Sequence, residues 1–243
     1  YVAPLGIAVV MPAVQLSFYT NMEFGGRYFD YITAELPEIM RDFFHFSALR
    51  ADNFVAGLSM GGALALRLAE QRGADVAGLV LVNPAVKIED PRLRVLPLLR
   101  FLLPSLPAIG GDIKKPGVTE LAYERTPLQA LHSMVAMYAA VAEDLPSVNQ
   151  PLLLFRSPED HVVPGSSSQL ILDTVGSVDV AEVLCEDSYH VATLDNDAER
   201  IFEARLVERL LPAAAIVQAI ALQSAHGAQR CGGHVGQRSS VGH

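Results

Sequence analysis

Tryptophan is absent from this 243-residue chain, and cysteine occurs only twice, at Cys185 and Cys231. Two cysteines exclude a disulfide framework and a Cys-rich zinc site. Basic residues are also in deficit: 18 Lys and Arg stand against 27 Asp and Glu, a formal net charge of −9. No basic stripe remains to neutralise phosphates, so a nucleic-acid partner is not expected. Long apolar runs are missing as well. The most apolar stretch, Leu96 to Ile109, is broken by Pro97, Arg100, Pro104 and Pro107, short of the ~18 uninterrupted residues of a membrane span. The run Val2 to Val14 has no basic flank and is interrupted by Pro4, Gly6 and Pro12. A signal peptide is therefore not expected, which leaves the cytoplasm as the favoured compartment. There is no H-E-x-x-H, no P-loop and no Rossmann glycine pattern, so neither a metal nor a cofactor is expected.

What the chain does have is apolar residues, 51% of the total, in enough length to bury a core without staples. Short β-rich runs alternate with longer helical patterns, which points to a parallel sheet covered by helices. Gly6 to Met11, Phe54 to Ala56, Ala77 to Val82, Leu152 to Phe155 and Val180 to Leu184 read as strands. The continuous apolar character of Ala77 to Val82 and Leu152 to Phe155 is that of central parallel strands. Phe29, Ile32, Leu36, Ile39 and Phe43 lie on one helical face, with Pro37 inside the pattern as a kink or restart. Gly62 to Glu70 and Asp195 to Leu210 are further helices. Residues 1–211 form one domain in this reading, with 85–148 as an insertion. Residues 212–243 form a tail, partly disordered, because their Gly, Ser, Gln, Arg and His carry no periodicity.

One motif carries chemistry. Gly57-Leu58-Ser59-Met60-Gly61 has the form G-x-S-x-G between an expected strand and an expected helix. A turn that sharp holds the serine in strained backbone geometry with its hydroxyl above the sheet, and the glycines keep Cβ atoms from colliding. The Met60 N–H then opens the helix and is aimed where a carbonyl oxygen would gain charge. The alternative is a Gly-rich turn with an accidental serine.

A serine hydroxyl needs a base, and the base an orienting acid. In doubly wound hydrolases the chain order is serine, acid, histidine. His45 precedes the serine, His132 lies in a helical segment, and His226, His234 and His243 fall in the tail. His161 adjoins an aspartate and reads as a solvated loop residue. His190 follows the strand Val180 to Leu184, at the carboxyl edge of the sheet where a base belongs. Asp160, just past the strand Leu152 to Phe155, reaches it from a different strand end, and Glu159 is the fallback. Asp187 and Glu186 share the loop of His190 and cannot turn back onto it easily.

From Gly62 to Glu203 the chain resembles bacterial monoacylglycerol lipases and related carboxylesterases of the α/β-hydrolase superfamily. The resemblance rests on Leu79 to Pro84, Asp112 to Gly117, Ser157 to Pro164 and Ser188 to Asp195. It implies an α/β-hydrolase fold, with the acid at Asp160, the base at His190 and 85–148 as a lid over an apolar acyl pocket. Residues 1–62 are similar instead to the esterase D and tributyrin-esterase group, through Ile7 to Pro12, Ser17 to Thr20, Gly25 to Phe29 and Arg50 to Gly62. The split implies a chimeric sequence joined near the Ser59–Gly62 elbow. Both groups carry an upstream His-Gly loop that gives a second oxyanion N–H. None precedes Ser59 here, and the first strands of the fold are missing in this reading.

The expected function is a serine carboxylester hydrolase acting on short- to medium-chain acyl esters, small molecules such as monoacylglycerols or p-nitrophenyl esters. Two alternatives are a weak or silent truncated hydrolase-fold protein and an acyltransferase, which would use identical residues. Loss of one oxyanion donor would slow such an enzyme ~10²–10³-fold.

Overall fold

A computed structural model describes residues 8–14, 17–22 and 25–202, with the backbone of 216–220. The described residues open with strand β1 (Ala8–Val10). Helix α1 (Tyr28–Asp30) then runs through a π-helical turn, Tyr31–Glu35, into α2 (Leu36–Phe44). The sequence pattern made this one kinked helix, and the structure locates the irregularity one turn before Pro37. Proline has no N–H to give and its ring crowds the preceding turn. The widened turn lets Pro37 enter as an early residue of a restarted α-helix, where no intrahelical N–H is required of it.

Strand β2 (Asn53–Leu58) leads through Ser59 into α3 (Met60–Arg72), followed by β3 (Gly78–Val82). After a long excursion the chain returns to β6 (Leu152–Arg156), α6 (Gly165–Thr174), β7 (Val180–Leu184) and α7 (Ala198–Phe202). The excursion contains α4 (Leu96–Leu102), the short strands β4 (Ser105–Pro107) and β5 (Arg125–Pro127), and α5 (Leu128–Asp144). The sheet order is β1-β8-β2-β3-β6-β7 with every pair parallel, β8 being Ile216–Ile220. This is the parallel sheet flanked by helices that the alternating pattern predicts.

The core forms where α3 lies between the sheet and α5. Leu64 and Leu66 of α3, Leu79 and Leu81 of β3, and Leu152 and Leu154 of β6 are fully buried, each worth ~1.5–3 kcal/mol relative to exposure. Because α3 is covered on both sides, it is apolar nearly all round, with buried residues from Met60 to Ala69.

Two boundaries differ from the sequence reading. Strand β8 lies beyond the expected domain end at 211 and is seated between β1 and β2. The Ala-rich start of the expected tail thus supplies a sheet strand, since β pairing satisfies its backbone without needing side-chain periodicity. The expected strand residues Gly6 and Ile7, the later part of the expected helix Asp195 to Leu210, and tail residues 221–243 lie outside the described residues. The insertion 85–148 is also not uniform. Tyr138 and Val141 of α5 are buried in the main core, whereas Leu98, Phe101 and Leu102 of α4 are each more than 70% exposed. Part of the insertion packs the sheet's own core, and the part around α4 stands outside it.

Candidate active site

Ser59 occupies the tip of the β2–α3 turn at φ 56°, ψ −121°, a region costly for any residue with a side chain. The strain is held in place by its own peptide bonds. Ser59 N–H donates to Val82 O at 2.9 Å, and Ser59 O accepts from Gly62 N–H at 2.9 Å and Ala85 N–H at 3.0 Å. The flanking glycines are sterically required. A Cβ on Gly57 would sit 2.1 Å from Gly61 O, and one on Gly62 would sit 2.7 Å from Pro84 Cβ. Met60 is the first residue of α3 and is buried, which puts its N–H at the helix opening as the motif predicts.

Asp160 and His190 meet although they arrive from different strand ends. Asp160 Oδ2 is 2.8 Å from His190 Nδ1, and both side chains are under a tenth exposed. The other carboxylate oxygen, Oδ1, accepts from Val162 N–H and Val163 N–H, each at 2.8 Å. The two amides fix the carboxylate, so Oδ2 is left to orient the ring. With Nδ1–H given to Asp160, Nε2 is the imidazole nitrogen that carries a lone pair.

Ser59 and His190 line one small cavity of about 100 Å³ with Leu58, Ile109, Asp112, Glu120 and Val162. Among the described residues no hydrogen bond joins the Ser59 hydroxyl to the ring. Such bonds are commonly long until substrate closes the site. The cavity's far wall, Ile109 to Asp112, comes from the insertion.

Beneath these three side chains lies a second layer of buried polar contacts. Asn83, at the end of β3 with φ +42°, donates from Nδ2 to His190 O at 2.7 Å and Ser157 Oγ at 3.0 Å. Its Oδ1 accepts Ser157 N–H at 2.7 Å. Asp195 accepts four main-chain N–H groups, from Lys114, Lys115, Tyr189 and Asn196. Burial raises its carboxyl, but those donors outweigh it and leave Asp195 below the ordinary value. Asp112 behaves alike: burial is overcome by the His161 ring and by the His161 and His190 N–H groups.

Comparison with known proteins fits this geometry. The family model Hydrolase_4, described as serine aminopeptidase, S33, matches residues 29–197. The chain belongs to this family. The matched range of this Hydrolase_4 chain includes the elbow at Ser59. Over 154 residues the chain is 42% identical to the thermostable monoacylglycerol lipase of Bacillus sp. strain H-257, covering 63% of this chain and 60% of that one. The mouse monoglyceride lipase is 28% identical over 155 residues, 57% of this chain and 51% of that one. The chain thus spans roughly half to three-fifths of the length of these relatives. A solved structure described with LipS and LipT, two metagenome-derived lipolytic enzymes, superposes with TM-score 0.64 at 41% identity, covering 72% of this chain and 71% of the other. The monoacylglycerol lipase of Paleococcus ferrophilus, at 16% identity, TM-score 0.57 and 74% coverage of each chain, shares the fold. The fold is that of the α/β-hydrolases.

Within this Hydrolase_4 chain four of the other acid and base candidates are occupied elsewhere. Glu159 and Asp187 both reach Lys114 Nζ, at 3.0 and 3.2 Å. His132 Nδ1 is 3.0 Å from Arg100 Nη1. His161 is exposed but not merely solvated: its Nδ1 lies 2.9 Å from Asp112 Oδ1, and its ring meets Tyr189 edge-on at 4.6 Å. Asp112 and Asn83 were missed by sequence reasoning, though both lie in stretches singled out there. A polar residue closing an apolar strand, as Asn83 does after Leu79 to Val82, is the signal that could have found one of them. No helix among the described residues is long and apolar enough to cross a membrane.

Proposed function

We propose that the protein hydrolyses carboxylic esters of short to medium acyl chains, monoacylglycerols among them, through Ser59, His190 and Asp160. The observation that carries this reading is the 2.8 Å contact of Asp160 with His190 Nδ1 on the wall of the cavity that Ser59 enters from a strained turn. The named lipases among the relatives support the substrate class, as does the apolar lining contributed by Leu58, Ile109 and Val162.

In this reading Ser59 Oγ attacks the ester carbonyl while His190 Nε2 takes its proton. Asp160 holds the ring tautomer and stabilises the imidazolium. The oxyanion forms opposite the Met60 N–H at the opening of α3. His190 then returns the proton to the leaving alcohol, and the acyl group remains on Ser59. Water, deprotonated by the same nitrogen, attacks the acyl carbonyl and releases the carboxylic acid and the free serine.

Hydrolysis of p-nitrophenyl butyrate and of a monoacylglycerol by the parent and by Ser59→Ala tests the proposal, beside labelling with an active-site fluorophosphonate. Turnover and labelling at Ser59 are expected in the parent and neither in the variant. Equal rates, or a folded parent that hydrolyses neither ester, overturn the reading.

A further inference from the structure

The catalytic reading above leaves open what holds the imidazole peptide itself, since His190 lies on a loop with no secondary structure of its own. The contacts around Asp112 answer this. Its Oδ2 accepts His190 N–H at 3.1 Å and His161 N–H at 3.1 Å, and its Oδ1 lies 2.9 Å from His161 Nδ1. Its own main-chain carbonyl accepts Val191 N–H at 3.1 Å. One residue of the insertion therefore grips two loops that issue from different strands: the loop of Asp160 after β6 and the loop of His190 after β7.

We propose that Asp112 is a positioning residue for the base, holding His190 by its main-chain N–H while it holds the acid-bearing loop through His161. This inference rests on the ester-hydrolase reading of Ser59, Asp160 and His190 and names what aligns them. The links form a closed circuit. Asp160 holds the His190 ring, Asp112 holds the His190 peptide, and His161, the residue after Asp160, is bound to Asp112. Asn83 completes the grip from below, its Nδ2 on His190 O at 2.7 Å, so both polar groups of the His190 peptide are taken by side chains.

Three features argue that this grip does more than stabilise a loop. Asp112 is on the lining of the cavity that also holds Ser59 and His190, so the clamp is built into the wall that a substrate would meet. Its side chain is only 16% exposed and its bond to His190 N–H is part-buried, which limits competition by water at the base while the His161 contacts lie at the surface. The nearby Asp195 shows what a purely structural carboxylate looks like. It gathers two N–H groups from the insertion, one from Tyr189 and one from its own neighbour Asn196, yet none from His190 or from residues 160–163. Asp195 is thus the matched comparator, with similar chemistry, in the same cluster, but without a direct hold on the base.

The test compares Asp112→Ala and Asp195→Asn with the parent in the full chain. Steady-state hydrolysis of p-nitrophenyl butyrate separates kcat from KM. The downfield Nδ1–H resonance of His190, assigned by its loss in His190→Gln, reports the Asp160 contact whether or not the protein turns over. Misplacing the ring by about 1 Å lowers kcat on the order of 10²-fold. Asp112→Ala is expected to lose activity on that scale with KM within about twofold and to lose or broaden the resonance. Asp195→Asn is expected to keep the resonance while its melting temperature falls. If Asp112→Ala fails to fold, Asp112→Asn keeps the side-chain shape and one acceptor and takes the same measurements, with a smaller loss expected. Unchanged kcat with an unchanged resonance overturns the proposal, as does an equal loss of both in Asp195→Asn. A parent that shows no esterase activity but whose resonance still depends on Asp112 overturns the catalytic reading and leaves the positioning role standing.

Discussion

Glu70 on α3 sits where a carboxylate is poorly tolerated. Its side chain is 2% exposed, its Oε2 is bound by Arg67 Nη1 at 2.8 Å, and its Oε1 is buried with no hydrogen-bond partner among the described residues. Burial, only partly offset by Arg67, raises the carboxyl from 4.5 to about 7. Between those values the folded protein holds a proton that the unfolded chain has lost. The associated stability is therefore fully present below 4.5 and is lost as the pH rises through about 7. At about 1.4 kcal/mol for each pH step, the whole change is on the order of 3 kcal/mol. Glu70→Gln keeps the shape, still accepts from Arg67 and does not ionise. Urea unfolding across pH 5 to 8 is the assay. The variant should match the parent near the acid end and exceed it near the alkaline end, by a displacement of the midpoint of about 1 M for an m-value of ~2–3 kcal/mol/M. A constant difference across the range, or a parent that gains on the variant as the pH rises, would refute the reasoning.

Other outcomes can be read from the same geometry. Asp160→Asn should lower kcat by roughly 10⁴-fold by upsetting the His190 tautomer, whereas Glu159→Gln should stay within about twofold, because Glu159 faces Lys114. Kinetics on one ester in both variants checks the assignment of the acid. Gly57→Ala puts a methyl 2.1 Å from a main-chain oxygen and should cost about 3 kcal/mol or more, measurable by thermal unfolding. Asp195→Asn should be less stable than the parent above pH 3.8. The gap should close as the pH falls below that value, because a depressed carboxyl contributes stability only while it is ionised. Phe101→Ser, on the exposed face of α4, should change stability by no more than about 0.5 kcal/mol.

Much of the frame was legible because it follows from local rules. Continuous apolar runs marked β3 and β6 as central strands, and the glycines around Ser59 announced a turn that leaves no room for Cβ atoms. Chain order together with position at strand ends brought Asp160 and His190 forward as a pair. What remained hidden depends on contacts distant along the chain. Asp112 is 78 positions from His190 and 49 from His161, and nothing in the spacing of an insertion loop tells which N–H groups it will meet. Ile216–Ile220 carries no strong alternation, so its place in the sheet follows from the vacant hydrogen-bonding edges of β1 and β2 and not from its own pattern. The insertion misled in another way. Its leucines look alike in sequence, but α5 turns some residues into the core while α4 buries Leu96 and leaves Leu98 and Leu102 outside, and only the packed structure separates them.

The seat of β8 has a consequence for how the chain is made. In the described structure β1 touches the sheet only through β8, so β1 has no place in this sheet until residues more than two hundred positions later have been synthesised. The strands β2, β3, β6 and β7 pair with one another without it. Docking of β1 onto this sheet thus depends on β8, and the interval before β8 is made is when β1 is most open to capture by a chaperone or by another nascent chain.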